Sequence, residues 1–459
     1  MRSGAWGRAI VVVVLGALAL PAYSAGKAPD AAEGWAQRAL DIQYDLASDV
    51  GWTNMPWVGT HNSYNSDEQT GISISSRDPN QVITNVAQLD AGVRSLELDI
   101  HRFPDVPGAE GPLRVCHARG ADQGHLGCST DKELAPTLAE IVAWLDEPKN
   151  SEEVLLLYLE DHMGDAAGYN AAAGIVDAQL GNRLYRPPAS GGCSEVPGGL
   201  TRDAIRADGA QALIVSDCGP EGATGWHSVA HNWNSHVESR PVEYEDFPRC
   251  GPDYKIPTYE SRVVRYYEDS TALSNQFGPP TGLATADDGI TPPTAAAMAR
   301  CGVDLIGLDQ VSGPADPRFE ALVWSWQVNR PRPGMKGERD CAVQRRGVEI
   351  APAFAFPGSA EPPTRAAWFD QRCVRLQAAA CRDGSGEWTI LEKRVRQRAA
   401  RNACEKQGLA LGTPRTGFES QRLDAALTSA ETRQAWLGTR RAGGTWNAPD
   451  PPLAFTPAP

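Results

Sequence analysis

Six residues carry the chemistry this chain can offer: His61, Asn62, Glu97, Asp99, His117 and Glu160. Each sits in or at the end of a short apolar run. The first run ends in Gly59-Thr60-His61-Asn62-Ser63-Tyr64, and the second reads Ser95-Leu96-Glu97-Leu98-Asp99-Ile100-His101. The third ends in Val115-Cys116-His117, and the fourth reads Val154-Leu155-Leu156-Leu157-Tyr158-Leu159-Glu160-Asp161-His162. Alternation along the second run puts Leu96, Leu98 and Ile100 on one face and Glu97 and Asp99 on the other. A strand buried on both faces normally reads apolar throughout. Two carboxylates sharing a buried face repel each other and lose hydration unless a cation joins them. The bland alternative is structural ion pairing with Arg94, Arg102 or Arg114. Oxygen donors without cysteine suit Ca2+ or Mg2+, and paired imidazoles suit acid–base work near neutral pH. A divalent cation with acid–base histidines points to phosphoryl transfer or phosphodiester cleavage. Alternation leaves open whether Glu160 or Asp161 faces inward. His101, His125, His162, His227, His231 and His236 read as loop residues rather than ligands. His227 and His231, four apart, lack the Glu of the zinc-protease pattern.

These residues need a scaffold that gathers strand ends. Eight strand-like runs recur between Trp52 and Gln327: Met55–Gly59, Ser95–Ile100, Leu113–Cys116, Val154–Leu159, Ala212–Ser216, Arg262–Tyr267, Asp304–Leu308 and Leu322–Gln327. Helical patterns separate several of them. Leu134, Leu138, Ile141, Val142 and Leu145 recur at helical spacing, and Glu147-Pro148 stops that helix. Val82, Val86 and Leu89 share a face before Gly92, a suitable C-cap. Alternating strands and helices predict an α/β fold, a (β/α)8 TIM-like barrel whose site lies at the C-terminal strand ends. An open doubly wound sheet is the runner-up, but no glycine-rich dinucleotide turn opens a helix. After Gln327 the character changes, with Pro-, Arg- and Gly-rich stretches reading as linker. The domains expected are a barrel over 25–330 and a small disulfide-bearing α+β accessory domain over 331–459.

The chain has 459 residues, a formal charge of −14, ten Cys and eight His. Such acidity opposes a nucleic-acid partner. An apolar content of 41% with 22% charged residues excludes a wholly disordered chain. Arg2 and Arg8, the apolar Ile10–Leu20 and the small residues before Ala25 read as a signal peptide over 1–24. The mature protein is therefore expected to be secreted or periplasmic, where an even number of Cys reads as disulfides. Cys116/Cys128, Cys193/Cys218 and Cys373/Cys381 are plausible pairs by proximity, although spacing does not fix connectivity.

In order and spacing, GTHNSY, QLDAGVRSLELDIH, VCH and VLLLYLEDH resemble the X-region barrel of phosphatidylinositol-specific phospholipase C. The calcium-dependent branch is the closer match. By motif the resemblance covers Trp52 to Glu160, and more loosely it extends to Gln327. It implies that His61 stabilises the pentavalent phosphorus and that His117 protonates the leaving diacylglycerol oxygen. It implies Asn62, Glu97, Asp99 and Glu160 as ligands of a Ca2+ that lowers the pKa of the attacking inositol 2-hydroxyl. The metal-independent branch has a guanidinium where this chain has Asp99. Cys116-His117-Ala118-Arg119 departs from the family's usual His-Gly. Arg265, Tyr266 and Tyr267 could line the head-group pocket, and Asp309 could orient an imidazole. The partner implied is a phospholipid or other phosphodiester, with transient contact at a membrane surface. Two other readings are a glycerophosphodiester phosphodiesterase and a non-catalytic surface- or glycan-binding protein. The C-terminal segment resembles a C-type lectin-like module through Ala403-Cys404, Pro414, Trp436-Leu437-Gly438 and Trp446-Asn447. It lacks the sugar-calcium signatures of that module.

Overall fold

The computed structural model describes residues 34–66, 79–102, 111–118, 128, 132–188, 192–233, 236–240, 243–251, 262–271, 289–332, 339–347 and 365–448. The leader, His125 and the final residues lie outside these. Among the described residues the first sheet has ten strands. They are β1 (Trp57–Thr60), β2 (Ser95–Arg102), β3 (Leu113–Val115), β4 (Leu155–His162), β5 (Leu184–Tyr185), β6 (Ala212–Ser216), β7 (His231–Asn232), β8 (Val237–Glu238), β9 (Val264–Tyr267) and β10 (Leu305–Leu308). The main order is β5-β6-β4-β2-β1-β10-β9-β8, with β7 on β6 and β3 on β2. Every pairing is parallel except β2 with β3. The sheet curls. The Arg265 guanidinium lies 4.9 Å from the Tyr158 ring, yet β9 and β4 are four strands apart, about 19 Å in a flat sheet.

Two of the eight expected strands are corrected. The run at 113–116 is not a parallel barrel strand. It follows β2 too closely for the dozen or more residues a parallel crossover needs, so it folds back antiparallel. Leu322–Gln327 is not a strand of this sheet, because the second sheet claims it. Leu322 ends a helix, and Trp326 bridges to Trp368. Among the described residues no ladder joins β7 to β8, so what is seen is a curled parallel half-barrel rather than the closed barrel.

The helices are α1 (Trp35–Leu46), α2 (Asn85–Asp90), α3 (Leu134–Leu145), α4 (Ala166–Leu180), α5 (Arg202–Ala207), α6 (Pro292–Arg300) and α7 (Pro317–Leu322). Thr84, Asp165, Thr201 and Thr291 each cap a helix N-terminus through a side-chain oxygen. α3 follows its expected pattern, with Leu134, Leu138, Ile141 and Leu145 buried. Period two then sorts the strand residues. Leu96, Leu98, Ile100, Leu155, Leu157, Leu159 and Ile214 join the main core. Trp57, Leu156, Leu213 and Leu305 form a separate apolar floor with Trp52 and Trp233. Further along the same inner face the residues turn polar, which is where the candidate site begins.

The second sheet comprises β11 (Cys341–Arg345), β12 (Ala367–Gln371), β13 (Gln377–Arg382), β14 (Trp388–Val395), β15 (Ala410–Leu411), β16 (Gln434–Ala442) and β17 (Thr445–Asn447). It carries α8 (Gln397–Glu405) and α9 (Gly417–Ser429). Gly34 onward forms one compact unit, and one buried apolar cluster reaches from Leu98 to Leu437. Trp368 packs edge-on to Trp324 and Trp326, each 5.7 Å away. Arg415 pairs with Asp49 through two contacts of 3.1 and 3.0 Å.

All ten cysteines are paired: Cys116–Cys128, Cys193–Cys218, Cys250–Cys301, Cys341–Cys373 and Cys381–Cys404. The Cys373/Cys381 pairing is thus wrong. The strand order β12-β11-β16-β13 holds those two apart despite their nearness in sequence. Cys373 closes onto the neighbouring β11, and Cys381 onto α8.

Candidate functional site

β1 delivers His61 to the strand ends, and the His61 amide donates to the Leu308 carbonyl at 3.1 Å. The next residue, Asn62, has φ +43°. Asn tolerates that left-handed conformation better than most residues. The turn is pinned to β2. The Asn62 amide donates to Glu97 Oε2 (3.0 Å), and Ser63 Oγ accepts from the Glu97 amide (2.9 Å). Glu97 and Asp99 follow on the inner face of β2, and Glu160 on β4 is the register partner of Asp99. One carboxylate oxygen from each of Glu97, Asp99 and Glu160 lies within 4.8 Å of the others. Asp161 turns away to the Tyr169 hydroxyl, so Glu160 is the inward carboxylate. Arg94 pairs with Glu153, and Arg102 with Asp165.

The cluster is short of positive charge. Burial, reinforced by Glu160, pushes Glu97 up to about 7 against the pull of His61. Burial and the charges of Glu160 and Glu97 push Asp99 well above the carboxylate range. Glu160 is more open; contact with His162 holds it below its ordinary value despite partial burial. The Tyr64 hydroxyl donates to Asp99 (2.9 Å). The Asn62 amide is satisfied with its nitrogen toward Asp99 and its oxygen toward His61 Nε2. Three gathered carboxylates, two of them buried, make an oxygen donor set that fits a hard divalent cation, which Asn62 can join by turning its amide oxygen from His61 to the cluster.

His61 is held from its other side. Its Nδ1 lies 3.1 Å from Asp309 Oδ2, and its Nε2 lies 3.7 Å from Glu97. Burial alone would lower its pKa, but Asp309 and Glu97 outweigh burial and hold it well above 6.5. Asp309 is fully buried and accepts from the Ser270 amide (2.7 Å) and Gln81 Nε2 (3.1 Å). Gln81 also donates to the His61 carbonyl (2.6 Å). The suggested Asp309–imidazole contact is therefore present. Gln81, and Asn80 with its Nδ2 3.5 Å from Asp309 Oδ2, give no signal in the sequence, since each is a single polar residue outside a periodic run.

His117 lies just past β3 and is exposed. The Cys116 amide donates to the Asp99 carbonyl (3.2 Å), which ties the backbone next to His117 to the carboxylate strand. Of the three aromatic-cation candidates, Arg265 and Tyr267 face the site. Arg265 stands over Tyr158, Trp233 and Tyr267, and Tyr267 lies 5.9 Å from His61. Tyr266 instead packs in the helix-side core. His101, His162 and His231 are corrected from loop to strand. His231 opens β7, and His101 and His162 lie within the last two positions of β2 and β4 on the inner face, because both strands run longer than their apolar stretches.

A sequence-family model described as the Rv2075c PI-PLC-like domain matches residues 21–316. The uncharacterized protein Rv2075c of Mycobacterium tuberculosis H37Rv is 36% identical over 413 residues, covering 87% of this chain and 78% of that one. Among solved structures, a phosphatidylinositol-specific phospholipase C from Listeria monocytogenes aligns at TM-score 0.37 and 11% identity, over 62% of this chain and 97% of that one. A calcium-dependent phosphoinositol-specific phospholipase C from a Pseudomonas species aligns at TM-score 0.32 and 12% identity, over 61% and 95%. By the length of the family match and the identity to its mycobacterial relative, this chain belongs to the Rv2075c PI-PLC-like domain family.

Proposed function

We propose that the protein is a Ca2+-dependent phosphodiesterase of the phospholipase C type. Its substrate is phosphatidylinositol or a similar phosphodiester with a hydroxyl beside the phosphate. That hydroxyl gives its proton to water and attacks phosphorus, the bond to the glycerol oxygen breaks, the glycerol oxygen takes up a proton, and a cyclic inositol phosphate and diacylglycerol leave. The observation that carries this reading is the gathering of Glu97, Asp99 and Glu160 beside a His61 held by buried Asp309. Glu97, Asp99, Glu160 and Asn62 would hold the cation, which when bound supplies the charge that acidifies the attacking hydroxyl and neutralises phosphate. His61, kept protonated by Asp309 and Glu97, donates to the phosphoryl oxygen where negative charge develops. His117, at the open edge, gives its proton to the leaving oxygen. Arg265, Tyr158 and Tyr267 form the wall against which a polar ring can rest.

The paired cysteines support an exported protein, and the leader-like N-terminus supports a cleaved signal over 1–24. A lipid substrate would bring the chain into transient contact with a membrane surface. We assign residues 331–459 an accessory role of lectin-like descent, beside a catalytic region over 25–330.

The test is a panel of phosphodiester head groups, with Ca2+ or with chelator, followed by phosphorus NMR. The expected result is a cyclic phosphate from the inositol lipid that disappears in chelator. Release of a primary alcohol without any cyclic product, or turnover indifferent to chelator, overturns the proposal.

A further inference from the structure

We infer a second metal site on the same two strands, formed by Asp99, His101 and His162 and suited to a transition-metal ion such as Zn2+. β2 and β4 run parallel and in register, so Asp99 faces Glu160 and His101 faces His162. Alternation puts Asp99 and His101 on one face, and the pair at His101/His162 continues the carboxylate ladder by one step. The two imidazoles stack with centroids 4.5 Å apart and planes 25° from parallel. One ligand atom from each of Asp99, His101 and His162 lies within 4.8 Å of the others. Ligand bonds of about 2.0–2.2 Å bring donor atoms closer than that, and side-chain rotation can supply the difference. His101 is fully buried, whereas the His162 side chain is 25% exposed and leaves a way in.

The donor set decides the ion. Two imidazoles and one carboxylate favour Zn2+ or its neighbours, whereas the oxygen-only cluster beneath favours a hard cation. Cys116 and Cys128 also lie close to His101, but they are joined as a disulfide and offer no thiolate. Asp99 belongs to both sets, and Glu160 Oε1 lies 3.2 Å from His162 Nε2. A transition metal bound above therefore withdraws ligands from the site below. If the proposed phosphodiesterase reading holds, Zn2+ inhibits the enzyme and Ca2+ relieves the inhibition.

The test uses the full chain, stripped with chelator and titrated with Co2+ as a spectroscopic probe and with Zn2+ by calorimetry. We expect one Co2+ per chain with the visible absorption of nitrogen coordination. His162→Ala, at the more open position, and His101→Ala should each weaken Zn2+ binding at least tenfold. His227→Ala, whose imidazole meets the Cys218 carbonyl instead, should leave it unchanged, and excess Ca2+ should weaken it in the wild type. An absence of stoichiometric binding, or an absorption unchanged in His162→Ala, overturns the site. Both readouts are independent of turnover. Metal binding as described in a protein that cleaves no phosphodiester sustains this site while the enzyme reading fails, and an active enzyme without Co2+ binding does the reverse.

Discussion

Asp309 is the residue whose removal separates position from charge. Asp309→Asn keeps a group that can face His61 Nδ1 but removes the largest influence raising the imidazole's pKa. With that pull gone, the His61 pKa should fall. Turnover should drop about a hundredfold or more, within the span of general acid–base contributions. An NMR titration of the imidazole checks the direction, and a pH–rate profile checks the consequence. Glu97 offers a stability test. Its folded pKa of about 7 lies above its ordinary 4.5, so the folded state binds the proton more tightly. The associated stability is fully present below pH 4.5 and is lost as pH rises toward 7, by about 3 kcal/mol at most. Thermal melts in chelator should show that decline, Ca2+ should suppress it, and Glu97→Gln should flatten it.

At the scale of elements, the close fit of β9 against β10 is a sensitive joint. A Cβ built at Gly307 would stand 2.1 Å from the Tyr267 ring. Gly307→Ala should push Tyr267 toward His61 and destabilise the fold by about 1–3 kcal/mol. Denaturant melts and a raised KM with less change in kcat would report it. The same scale shows what was legible beforehand. Alternation in SLELDIH puts Glu97 and Asp99 together on one face, and in the fold that face is the inner one. Helical spacing finds α3 to within a turn. The antiparallel β3 was misread, although the brief gap after β2 already argued against a parallel crossover. The eighth run was misread because Trp324 and Trp326 look like strand residues and in fact serve a joint whose other half lies in distant sequence. Asp309 lies 248 residues from His61, so the sequence suggests an imidazole partner for it and only the fold shows which one. Two-residue strands such as β5 and β7 carry too few residues for any period.

Among the described residues there are two sheets, and the largest buried apolar cluster runs through both. Trp368 is completely buried and meets both Trp324 and Trp326. Trp368→Ala should cost about 3–5 kcal/mol and lower the midpoint for both sheets together. Calorimetry should show a single transition in the wild type and in the variant. Two well-separated transitions in the wild type would mean that the halves are energetically independent. The disulfides sharpen this point. Three close within residues 116–301 and two within residues 341–404, and none ties one sheet to the other. Each half can therefore be oxidised to completion before the halves meet. The tryptophan joint between the sheets is then one that no disulfide locks. A protease or a chaperone acting on oxidised molecules would find its opening at that seam.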